Sequence, residues 1–93
     1  MDVKTVVAQA KHQIADLFAD EAIENLGLEE VDYDESKGVW SVTLGFSRPW
    51  DQPRGALAAI AGQNLYAKRA FKVVQIEDAT SKVLSVRNRD VPA

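Results

Sequence analysis

Ninety-three residues, 46% of them apolar and 27% charged, with a net charge of −3, point to one globular domain near the lower size limit for folding without staples. Cysteine is absent, which excludes a disulfide framework, a thiolate zinc site and a cysteine nucleophile. The charge is unevenly spread: residues 1–38 carry ten acids and three bases, residues 39–93 four acids and eight bases, a polarity able to orient a charged partner or draw two copies together.

Val3, Val6, Val7, Ala10, Ile14, Leu17, Phe18, Ala22 and Leu26 recur at three- and four-residue spacings, which predicts one long amphipathic helix over 3–26. Asp2 is placed to cap it, and Gly27 followed by Leu28 reads as its stop. Asp20-Glu21 offers an alternative, a break near Ala19 with a short second helix. Strands are expected at about 28–33 and 39–46, joined by the turn Asp34-Glu35-Ser36-Lys37-Gly38. Within Trp40-Ser41-Val42-Thr43-Leu44-Gly45-Phe46, large apolar and small or polar residues alternate strictly, the period of a strand with one buried face. Trp40, Val42, Leu44 and Phe46 should therefore face the helix, leaving Val39, Thr43, Tyr33, Phe71 and Val73 for the opposite face.

Residues 47–68 interrupt the pattern. Pro49 and Pro53 cannot serve inside a strand, 56–62 has room for one or two helical turns, and the second sheet face is left to be covered either by residues 56–65 or by a second copy or partner protein. A closing hairpin follows, with strands at about 70–76 and 83–88 around Glu77-Asp78-Ala79-Thr80-Ser81-Lys82. The expected fold is α+β: one N-terminal helix packed on a four-stranded antiparallel sheet built from two hairpins.

The segment Val74-Gln75-Ile76-Glu77-Asp78-Ala79-Thr80-Ser81-Lys82-Val83 resembles the closing hairpin of the PepSY-like domains, whose architecture is shared with β-lactamase-inhibitor-protein-like folds. Val74, Ile76, Thr80 and Val83 match its pattern, while Glu77 stands where the acid is usually Asp and Ser81 where the turn glycine is expected. A serine there is strained if the turn needs a positive φ. The resemblance implies a non-catalytic inhibitory or regulatory role, in a family found mostly outside the cytoplasm.

No catalytic, cofactor or metal site is expected. His12, the sole histidine, lies beside the apolar stripe of the helix. The acids Glu29, Glu30, Asp32, Asp34 and Glu35 lack the glycine and terminal glutamate of a calcium loop. The candidate protein-binding residues are Arg48, Trp50 and Arg54 in the proline-stiffened loop, with Phe71 and Val73 on the second sheet face. Tryptophan and arginine are the side chains that most often dominate interfaces; the alternative has Trp50 fold back over the open end of the sheet core as a lid, with Arg48 and Arg54 solvated. A non-catalytic binding protein with a protein partner or a second copy is the leading reading. Its alternative is a nucleic-acid accessory protein using the basic second half, with Tyr66 and Phe71 for stacking; the pI near 5.0 argues against it. No membrane span is expected, and Asp2, Lys4, Gln9, Lys11 and His12 break any export signal, so the cytoplasm is the expected address.

Overall fold

Asp2 opens the first element as its position suggested: its carboxylate accepts the Thr5 backbone N–H at 2.7 Å, satisfying one of the free donors of the first turn. In the computed structural model, which describes residues 1–48 and 69–89, helix α1 spans Val3–Leu17. Four strands follow: β1 at Glu24–Asp34, β2 at Val39–Ser47, β3 at Ala70–Glu77 and β4 at Val83–Asn88. They form one antiparallel sheet in the order β1-β2-β3-β4. Trp50, Arg54, Tyr66 and the helical turns expected at 56–62 lie outside the described residues.

The helix is shorter than the apolar spacing predicts. It ends at Leu17, not residue 26, and a single 3-10 turn at Ala19–Glu21 follows, close to the break that Asp20-Glu21 offered. The backbone leaves the α conformation at Phe18, at φ -108 and ψ 25, and the 3-10 turn is closed in its turn by Ala22, whose φ of 48 is left-handed and bars any return to the helix. Leu26 continues the helical spacing, but it and Gly27 belong to β1, where Gly27 pairs with Gly45 and cross-strand pairing overrides local periodicity. β1 consequently begins at Glu24, not 28, and Gly27 is no helix cap.

The core lies between α1 and one face of the sheet. Val6, Ala10 and Ile14 meet Val42, Leu44 and Phe46 of β2 and Val74 and Ile76 of β3, all fully buried. This is the face that the alternation of β2 assigned to the helix. Leu17, grouped with the stripe, is 53% exposed and stands outside the core.

Two turns close the hairpins with one backbone plan. The N–H of Gly38 donates to the Asp34 carbonyl at 2.8 Å, and the N–H of Ser81 to the Glu77 carbonyl at 2.8 Å. Both closing residues are left-handed, Gly38 at φ 65 and Ser81 at φ 60. Glycine adopts this conformation without strain; serine carries a Cβ penalty there. The tips are joined: the Asp78 N–H donates to the Gly38 carbonyl at 2.9 Å, and Gln9 of α1 donates to the Ser81 carbonyl.

Candidate interaction surface

Two groups meet at the Asp78 carboxylate. Trp40 Nε1 donates to its Oδ1 at 2.9 Å, and the Met1 amino group lies 3.1 Å from the same oxygen. The Trp40 bond, then the Met1 amino group, hold the Asp78 carboxyl below the usual aspartate value. Trp40 also stacks on Tyr33 with ring centroids 4.7 Å apart. Tyr33 therefore lies on the helix side of the sheet, not the opposite face, because a bulge between Leu28 and Glu30 reverses the alternation of β1. These contacts tie the start of α1 to both hairpin tips, which is a structural role.

At the other end of the core, Phe18 packs on Phe46 with centroids 5.3 Å apart. Arg48 lies over both rings, 5.6 Å from the Phe18 centroid and 5.3 Å from that of Phe46, and its Nε is 2.8 Å from Glu21 Oε1. Lys72 covers Phe18 at 5.6 Å and hydrogen-bonds Asn88. Arg48, read from the sequence as a binding residue, is thus committed within the chain to sealing the Phe18–Phe46 end of the core.

Phe71 and Val73 do lie on the face away from α1, both half-buried. The pairing registers resolve this face into rungs running from β1 to β4. One rung reads Glu30, Thr43, Val73, Arg87 and the next Asp32, Ser41, Gln75, Ser85. In the second, Ser85 donates to Gln75 at 3.2 Å and Gln75 to Ser41 at 3.4 Å. A further rung places Glu29 and Gly45 beside Phe71 and Arg89, whose guanidinium lies 5.6 Å from the Phe71 ring centroid. Gly45 is needed for this approach. A Cβ there would stand 2.8 Å from Arg69 Nη2 and 3.0 Å from both Glu29 Oε1 and Phe71 Cε1. Arg69 and Glu29, 3.6 Å apart, pair across this end of the face.

The result is a face with exposed acids Glu30 and Asp32 on β1, Arg87 and Arg89 toward β4, and uncharged Thr43, Val73 and Phe71 between them, with the Glu29–Arg69 pair over Gly45 at one end. Thr43 is only 5% exposed. Glu30, Asp32 and Arg87 are exposed, with no ion-pair partner among the described residues. Beside Val73, a shallow groove of about 260 Å³ is lined by Gln75, Ser85, Arg87 and Arg89. Strict alternation along β1 would send its acids to both sides of the strand. The bulge at Glu29 is what gathers Glu29, Glu30 and Asp32 on one side, and nothing in the local composition signals it.

Other classes of site find less. His12 is exposed on α1. Among the described residues no group of three acidic or histidine side chains converges on a metal position, and no helix is long and apolar enough to cross a membrane. The basic residues divide between the two sides of the sheet: Lys72 and Arg48 attend Phe18, while Arg69, Arg87 and Arg89 lie on the other face. No protein-family model, no curated protein and no solved structure matches the chain.

Proposed function

We propose that this protein acts without catalysis, by protein–protein contact through the sheet face opposite α1. The observation that supports this reading is the charge layout of that face, with exposed acids along β1, exposed arginine on β4 and a half-buried Phe71–Val73 centre between them. An uncharged centre rimmed by charges is the composition of an interface core with its margin. The hydrogen-bonded Ser85–Gln75–Ser41 rung holds polar groups in fixed directions, which favours a partner that matches them. The PepSY-like resemblance of the closing hairpin implies the same kind of role.

A photo-crosslinking side chain tests it without knowledge of the partner. Benzoylphenylalanine at position 73 should give discrete adducts in cells that express the protein, while the same probe at position 12 on the outer side of α1 should not. Equal labelling from both positions, or none from position 73, contradicts the reading.

A further inference from the structure

The contact surface proposed above has a property that selects its partner: it is complementary to itself. Along the rung Glu30–Thr43–Val73–Arg87 the charge runs from negative to positive across three strand spacings, about 14 Å. At the Phe71 rung Glu29 is already paired with Arg69 within the chain, so the polarity of the face rests on Glu30 and Arg87. Consider two such faces laid together about a two-fold axis parallel to the strands and between β2 and β3. That operation puts the β1 margin of each copy over the β4 margin of the other. Glu30 then faces the partner's Arg87, Arg87 faces the partner's Glu30, and Val73 meets the partner's Thr43. A two-fold axis perpendicular to the strands would instead set acid against acid.

We infer that the occupant of this face is a second copy of the chain, packed sheet to sheet in an aligned sandwich with its two-fold axis along the strands, an inference that rests on the contact reading. Three observations favour this partner. The exposed charges at the two margins lack partners within the described chain and are of opposite sign, as an isologous interface requires. At the level of the Glu30–Arg87 rung the face is uncharged at its centre, where the axis passes, so the closest approach there brings Thr43 and Val73 together. The area also suffices. Four strands of about eight residues present roughly 500 Å² per copy, about 1,000 Å² in all, at the lower bound of specific interfaces. The dimer is accordingly a reversible one that weakens as salt rises, because exposed pairs at its margins are screened.

Sedimentation equilibrium on the full chain tests it. The wild type should show a concentration-dependent dimer. Glu30→Arg or Arg87→Glu alone should weaken it by about tenfold or more, since each reversal sets two like-charge pairs across the axis. Mixed in equal amounts, the two single variants should recover a heterodimer, because positions 30 and 87 then carry bases on one copy and acids on the other. The double variant Glu30→Arg/Arg87→Glu should dimerise like the wild type. Positions 30 and 87 stand too far apart within one chain for such a rescue to arise internally. A wild type that stays monomeric at high concentration overturns the inference. So does a dimer indifferent to both reversals, or a mixture that fails to associate. A monomer whose position-73 probe still labels another protein discards the second copy and keeps the contact reading; a monomer with no adduct discards both.

Discussion

Strand β2 shows its neighbours two different surfaces at alternate residues, and both are covered, but by different chemistry. On the helix side Val42, Leu44 and Phe46 are fully buried by Val6, Ala10, Ile14, Val74 and Ile76. On the other side Thr43 is 5% exposed, and Gly45 lies under the side chains of Glu29, Arg69 and Phe71, two of them charged. Burial alone therefore does not mark the core. An apolar cover contributes transfer free energy. A cover of charged side chains leaning over a glycine contributes little, because such pairs are partly solvated, and it leaves the surface available to a partner.

Truncation at the helix side should have the largest effect. Phe46→Ala removes an aromatic ring packed on Phe18 and beneath Arg48, and should cost about 3–5 kcal/mol by urea denaturation. Leu44→Ala should cost about 2–5 kcal/mol. Leu17→Ala, at an exposed position, should fall below about 1 kcal/mol, the ordinary range for a surface substitution. A Leu17 loss equal to that of Leu44 would mean that α1 packs differently.

Across the strand, Gly45→Ala sharpens the comparison. Its Cβ displaces Arg69, Glu29 and Phe71, so a cost of about 1–3 kcal/mol is expected, together with loss of the Glu29–Arg69 pair. A neutral substitution would show that this cover swings aside freely.

The hairpin tips give a smaller effect with opposite signs. Ser81→Gly should stabilise by up to about 1 kcal/mol, since the left-handed φ of 60 penalises a side chain, whereas Gly38→Ala should destabilise by about 1 kcal/mol or more. Thermal unfolding of the two variants reads both.

The mildest contrast is with pH. Asp78 has a folded pKa lowered first by Trp40 and then by the Met1 amino group, Asp34 by Ser36, and Asp2 by the Thr5 N–H. For each the unfolded chain binds the proton more readily. The stabilisation is therefore complete above the ordinary aspartate pKa and is lost as pH falls through the lowered folded value. Asp78→Asn should be less stable than the wild type at pH 6, and the gap should narrow as pH drops below about 4. A gap that widens in acid would reverse the assignment.

The meander, the Asp2 cap and the facing of β2 were legible because each is a local pattern: strict alternation, a capping residue, turn residues between apolar runs. The end of α1 was not. Ala22 and Leu26 keep the helical spacing beyond Leu17, where α1 stops, and the left-handed residue that closes the following 3-10 turn is an alanine, a residue with no preference for that conformation. The face of Tyr33 was misread for a related reason, since the bulge at Leu28/Glu30 shifts the phase of β1 and the adjacent Gly27 reads equally well as a helix stop. Arg48 could not be assigned from its neighbours because the rings it covers, Phe18 and Phe46, lie on different elements. Phe71 and Val73 were placed on the outer face by alternation alone, but the margins that give that face its polarity depend on the register of four strands.

The division between a face that holds the fold and a face that serves contact is tested most directly at two adjacent residues of β3. Val74 is fully buried against α1; Val73 is half-buried on the opposite side. Urea denaturation of Val74→Asp and Val73→Asp should find the first unfolded or nearly so, because a charge is left unpaired in the core. The second should keep the cooperative transition within about 1 kcal/mol of the wild type. Loss of the folded state in Val73→Asp as well would contradict the account, making the outer face part of the core.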